Sequence, residues 1–273
     1  MSENSEQIEY WNGSAGAGWV ETYPVIDRLL EPLSSVAVDH ANPRDGQNVI
    51  DVGCGCGSTS IKLAECGASI LGVDISEPMI AEASRRALNM PNVQFSVADA
   101  SIEAYTPNHE LVFSRFGVMF FADPITAFAN IRTALAPKGR LVFLCWQSPL
   151  ANPWIAIPGK IVQGLLPEAP PADPLAPGPF SLSDETRLHH VLGSAGFNDI
   201  SVESVEKELT LGADMEEAMA FQSRIGPLST FIAEHHGEAR EQAINAVRDA
   251  LSPYLTGDGV RMTGAAWLVT ASV

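Results

Sequence analysis

The sequence is poor in basic residues. Its 16 lysines and arginines face 33 aspartates and glutamates over 273 residues, a formal net charge of −17. Nucleic-acid binders draw their affinity from Lys and Arg neutralising phosphates, and no basic cluster occurs here, so nucleic acids and anionic membranes are poor partners. Long apolar runs are also missing. The most apolar stretch, 111–121, is interrupted by Arg115 and falls short of the roughly 18–20 residues that span a bilayer. There are only 4 cysteines, Cys54, Cys56, Cys66 and Cys145. Cys54-x-Cys56 is not finger spacing and no histidine pair follows it, so no metal site is expected. The polar, acidic start of the chain resembles neither a signal nor a transit peptide, and the sparse cysteines suit a reducing compartment; a cytoplasmic protein is expected.

What is present suits a globular fold, with 46% hydrophobic residues and no internal repeat. Residues 8–40 carry apolar positions at helical spacing: Val25, Ile26, Leu29, Leu30, Leu33, Val36 and Ala37. Residues 47–147 alternate strand and helix patterns. Strands are predicted at 48–52, 69–74, 93–97, 110–114 and 141–146, and helices from 58, 76 and 123. Ser76 is the expected cap of the second of these helices, with Pro78 in its first turn. Such alternation implies right-handed crossovers and a parallel sheet. In 148–273 the proline-rich stretch 167–180 reads as a surface connection. Ser183 caps a predicted helix to about Ala195, 200–206 alternates like a strand, 214–251 reads as two helices broken near Gly226-Pro227, and 266–270 is a last strand.

The chemistry gathers at strand ends. Val49-Ile-Asp-Val-Gly-Cys-Gly-Cys-Gly57 places a glycine loop after the first strand, where open α/β sheets bind nucleotides. A dinucleotide loop wants G-x-G-x-x-G, but after Gly53 and Gly55 the third position is Ser58. Asp51 would approach a pyrophosphate unfavourably and can instead accept from a ligand ammonium, directly or through water. This favours a nucleoside bearing an amino acid, while a nicotinamide-dependent oxidoreductase stays as the alternative. Asp74, ending the second strand, can take both hydroxyls of a ribose or serve as a helix-terminal carboxylate. Asp99 ends the third strand and can accept from an adenine amino group or act as a loop acid. No histidine is a convincing base: His40, His109, His189, His190, His235 and His236 lack an evident partner.

Together these motifs resemble the class I S-adenosylmethionine-dependent methyltransferases, in particular the small-molecule group near the ubiquinone/menaquinone-biosynthesis enzymes. The likeness covers about 49–146. Leu111-Val-Phe-Ser-Arg-Phe116 matches the strand at the reactive end, and Leu135-Ala-Pro-Lys-Gly-Arg-Leu141 a Leu-x-Pro-Gly-Gly-x-Leu turn, with Lys138 in place of the first Gly. The resemblance implies an α/β, Rossmann-like, seven-stranded, mostly parallel sheet with helices on both faces. It also implies a helical cap at 8–40 and an inserted lid from 167–180 and 214–251, all in one domain of 1–273. It implies S-adenosyl-L-methionine as cofactor and a small-molecule methyl acceptor, with positioning as the main source of rate. Asp51, Gly53, Cys54 and Gly55 would hold its methionine part, Asp74 the ribose, and Ile75, Met79, Asp99 and Ala100 the adenine. Ser114 and Arg115 would border the sulfonium, with Tyr10, Trp11 and Trp19 as lid aromatics. Phe116, Met119, Phe120 and Trp146 would floor a partly apolar or aromatic acceptor pocket. A cofactor-binding protein without catalysis is the remaining alternative, because such chemistry needs no obligatory base.

Overall fold

The computed structural model describes residues 4–166, 173 and 175–273; of the expected lid stretch, 167–172 and 174 lie outside the described residues. The chain opens with α1 (Ser5–Asn12) and α2 (Ser14–Ala41). The single helix expected over 8–40 is therefore two, broken at Gly13. The break is tight, because a Cβ on Gly16 would lie 2.0 Å from the Trp11 carbonyl oxygen. Along α2 the buried side chains Ile26, Leu29, Leu30, Leu33 and Ala37 form the apolar face anticipated from their spacing.

The α/β core follows as β1 (Asn48–Val52), α3 (Ser58–Glu65), β2 (Ser69–Asp74), α4 (Glu77–Arg86), β3 (Val93–Val97), β4 (His109–Arg115), α5 (Pro124–Arg132) and β5 (Leu135–Trp146). Leu111, Val112 and Phe113 of β4 and Phe143 of β5 are fully buried, as expected of strands covered on both faces. Beyond the core come α6 (Pro153–Leu165), α7 (Glu185–Ser194), β6 (Asn198–Gly212), α8 (Met215–Gln222), α9 (Pro227–Glu234), α10 (Glu238–Leu251), the two-residue β7 (Leu255–Thr256) and β8 (Gly259–Ser272). Among the described residues no helix is long and apolar enough to cross a membrane.

The sheet runs β3-β2-β1-β4-β5-β8-β6, with β7 paired to β8. The pairs β1–β2, β1–β4, β2–β3 and β4–β5 are parallel, and β8 lies antiparallel between β5 and β6. The expected mostly parallel, Rossmann-like sheet is present, with the small β7 as an eighth strand. Connections reverse direction at β1, which has β2 on one side and β4 on the other. That switch point opens a crevice at the strands' carboxyl ends.

Several local expectations change. Ser76 does not cap α4 with its side chain: its hydroxyl donates to the Trp11 carbonyl at 2.7 Å. Asn12, from α1, accepts from the Glu77 N–H at 2.9 Å instead. Asp184, not Ser183, caps α7, accepting from the Arg187 N–H at 2.7 Å. The stretch 214–251 holds three helices, since Gly237 at φ 63° makes a second break. Strand β6 is far longer than 200–206 because it pairs along β8 as far as Gly212.

Candidate functional site

The site starts from backbone geometry. Gly53, Gly55 and Gly57 have φ of 65°, 54° and 80°, the left-handed region that glycine enters without Cβ strain. The N–H groups of Gly53 and Cys54 donate to the Val73 carbonyl at 2.8 and 3.2 Å, which ties the loop after β1 to the end of β2. A Cβ on Gly53 would lie 2.6 Å from the Gly117 Cα, so the loops after β1 and β4 touch backbone to backbone.

Asp74 sits beside this loop. Its carboxylate accepts the Gly55 N–H and the Ser76 N–H, each at 2.9 Å. Desolvation raises its pKa, opposed by the backbone donors of Ser76, Gly55 and Ile75. One strand further on, Oδ1 of Asp99 accepts from the Asn4 side-chain amide at 2.9 Å, the Ser101 N–H at 3.0 Å and the Ser101 hydroxyl at 2.6 Å. Its Oδ2 is buried without a partner among the described residues. The same Asn4 accepts from the Ala122 N–H at 3.0 Å, and Asn12 donates to the Ile75 carbonyl at 2.9 Å. Helix α1 is thus laid across the carboxyl ends of the strands and fastened at both ends.

Below it lies a cavity of about 650 Å³. Tyr10, Trp11, Trp19, Gly53, Cys54, Gly55, Asp74, Ile75, Met79, Asp99, Ala100, Arg115, Phe116, Met119, Phe120 and Trp146 all line it. The fold therefore brings together sixteen of the sequence-predicted site residues. Trp11 meets Trp19 and Phe120 edge to face, with centroids 5.8 and 5.3 Å apart. Arg115 pairs with Asp27 at 3.5 Å and donates to the Ser34 hydroxyl at 3.1 Å. The Cys54 thiol is pushed up by burial and stays protonated.

Two expected residues do not reach the wall. Asp51 is fully buried just off it, because strand alternation turns its side chain under α3. There Oδ2 accepts the Thr59 and Ser60 hydroxyls at 2.8 and 2.6 Å, while Oδ1 has no partner among the described residues. Desolvation pushes its pKa up to about 6, against the lowering effect of those hydroxyls and of Arg115. Ser114 is also fully buried; its hydroxyl accepts the Gly117 N–H at 3.3 Å and closes the turn after β4. Sequence reasoning missed Asn4, Gln7, Trp154, Phe221, Arg224 and Ile225, which also line the cavity. Only Trp154 and Phe221 carried a signal, as large aromatics beyond the 49–146 stretch that carries the cofactor motifs. Among the described residues no histidine or lysine lines it.

The residues fit an amino-acid-bearing nucleoside. The glycine backbone admits close approach, two carboxylates end adjacent strands, and Asp99, on the wall, keeps an orphaned Oδ2 as an acceptor awaiting a donor. Fold and site define an α/β protein that binds a nucleoside cofactor at the switch point of its sheet. Residues 49–139 match the family described as "Methyltransferase domain", so the α/β core of the chain is a methyltransferase domain of the class I, S-adenosylmethionine-dependent type. This decides against the oxidoreductase alternative. Nocamycin O-methyltransferase of Saccharothrix syringae is 28% identical over 212 residues, 70% of this chain and 72% of the relative. Phosphoethanolamine N-methyltransferase 1 of Triticum aestivum is 29% identical over 169 residues, 61% of this chain. The match spans only 31% of that plant relative. Among solved structures, YcgJ of Bacillus subtilis shares the fold at TM-score 0.58 and 16% identity, covering 89% of this chain and 98% of that one.

Proposed function

We propose that the protein methylates a small-molecule acceptor by in-line displacement and works in the cytoplasm, in keeping with its four free cysteines. When bound, S-adenosylmethionine supplies a methyl group already activated by a positive sulfur. Asp74 holds the ribose hydroxyls with the lone pairs left by Gly55 and Ser76. Asp99 takes the adenine amino group on its free Oδ2, beside Ile75, Met79 and Ala100. Gly53, Cys54 and Gly55 bear on the methionine part, whose ammonium is matched by Asp51 from behind the loop. Helix α1 with Tyr10 and Trp11, together with Trp19 of α2, excludes water, and aromatic faces suit a sulfonium. Phe116, Met119, Phe120 and Trp146 position the acceptor.

The observation that carries this reading is the Asp74 carboxylate, held by the motif glycine and opening into the cavity. Calorimetry with S-adenosylhomocysteine tests it. A dissociation constant of about micromolar order is expected, weakened at least about tenfold by Asp74→Ala, which removes a charge-assisted acceptor. The exposed His190 on α7 serves as control through His190→Ala. No heat with the wild type, or equal effects of the two substitutions, overturns the reading.

A further inference from the structure

One part of the cavity wall is built from rings. Phe116 stacks on Trp146 with centroids 4.0 Å apart and planes 10° from parallel. Trp146 meets Trp154 at 5.3 Å, and Trp154 meets Phe221 at 6.4 Å. The four come from the ends of β4 and β5, from α6 and from α8, and all line the cavity. Phe116 has φ 60°. A bulky residue keeps such a backbone only where its surroundings enforce it, and such strain clusters at ligand-binding sites.

Trp154 is aimed by a polar device on its far side. Its indole N–H donates to Asn152 Oδ1 at 3.2 Å. Asn152 is fully buried, and it donates to the Ala265 carbonyl and accepts the Ala265 N–H, both at 2.9 Å. The Trp154 carbonyl accepts from Gln222, next to Phe221, at 2.9 Å. A satisfied polar network inside an apolar region fixes one arrangement. The indole donor is thereby taken up by Asn152 and the ring's apolar surface is left for a ligand. Of the two arginines lining the cavity, Arg115 is already paired with Asp27 and Arg224 is exposed. The ring wall itself carries no charge and offers a flat molecule stacking partners.

We propose that the acceptor is a planar aromatic molecule, recognised by the wall Phe116–Trp146–Trp154–Phe221. Trp154 is its specificity-determining residue and Asn152 a positioning residue acting through Trp154. This rests on the methyltransferase reading and narrows its acceptor. The test uses 1,4-dihydroxyanthraquinone as a planar probe, with octanoate and phosphoethanolamine as comparisons, each titrated with S-adenosylhomocysteine present and absent. The quinone is expected to bind more tightly than either comparison. Trp154→Ala should weaken it about tenfold or more and Trp154→Phe much less. Asn152→Ala should weaken it in the wild type but not in a Trp154→Phe background, where no indole remains to be aimed. Calorimetry with S-adenosylhomocysteine on every variant reports folding and separately judges the cofactor reading. Where Trp154→Ala does not fold, Phe221→Leu carries the same expectation. Octanoate or phosphoethanolamine binding as tightly as the quinone overturns the proposal, as does equal quinone affinity in wild type and Trp154→Ala, or an Asn152→Ala effect that persists in the Trp154→Phe background.

Discussion

Asp51 is a buried acid that the fold makes costly, and replacing it by asparagine should stabilise the protein while weakening cofactor binding. Its pKa is pushed from 3.8 to about 6, chiefly by desolvation. Because the folded value lies above the unfolded one, the acid destabilises the native state. The penalty grows as pH rises from 3.8 to about 6 and is constant above. A rise of about 2 units corresponds to about 3 kcal/mol at neutral pH. Asp51→Asn removes that penalty but buries an amide N–H where Oδ1 now has no partner, at about 1–2 kcal/mol. The variant should therefore be about 1–2 kcal/mol more stable at pH 8, a melting shift of roughly 2–8 °C. The advantage should shrink by about 1–2 kcal/mol at pH 5, where the wild-type acid is largely protonated in the folded state. The carboxylate charge behind the loop attracts the cofactor's ammonium across it, so S-adenosylhomocysteine should bind the variant about tenfold or more weakly. Near pH 6 its binding to the wild type should release a proton, read as a dependence of binding heat on buffer ionisation enthalpy. Thermal melts at both pH values with calorimetry decide the matter. A variant equally destabilised at pH 5 and pH 8, with unchanged affinity, would refute the reasoning.

Two further substitutions test the frame of the site. Gly53→Ala combines a left-handed backbone with a Cβ 2.6 Å from the Gly117 Cα. The strain is about 1–2 kcal/mol and the overpacking about 1–3 kcal/mol, so the melting temperature should fall and cofactor binding vanish; an unchanged melt would contradict the loop contact. Asn12→Ala removes the cap that α1 lends to α4 and the tie to the Ile75 carbonyl. A loss of about 1 kcal/mol is expected, with faster amide exchange at Glu77 and Met79 and faster release of S-adenosylhomocysteine. Exchange rates identical to wild type at those amides would show that α1 does not cap α4.

The cofactor side was legible because its residue types are forced locally. Positive φ at Gly53, Gly55 and Gly57 and the acids ending β2 and β3 follow from short stretches of chain. What failed were judgements that depend on distant partners. Ser76 has the chemistry of a cap, but the crossing of α1 gives its hydroxyl the Trp11 carbonyl and hands the cap to Asn12. The motif also does not say that the pleat of β1 turns Asp51 under Thr59 and Ser60. The length of β6 comes from its antiparallel partner rather than from its own pattern, since much of its surface is exposed. Asn152 was silent for the same reason. Its meaning lies in Ala265, more than a hundred residues away in sequence.

These two kinds of information meet at one contact. Gly117 touches Gly53 in the loop that faces the cofactor, and its neighbour Phe116 is the first ring of the aromatic wall. The Ser114 hydroxyl fixes the turn that carries both, through the Gly117 N–H at 3.3 Å. In a reaction driven by alignment, an error of about 1 Å between donor and acceptor is costly. Here that distance is set by backbone packed on backbone, the least compliant contact a protein has, rather than by flexible side chains. The strain at Phe116 is consistent with this arrangement. A relaxed backbone after β4 would move the ring relative to the glycine loop, and the wall and the cofactor's methyl group would lose their common frame.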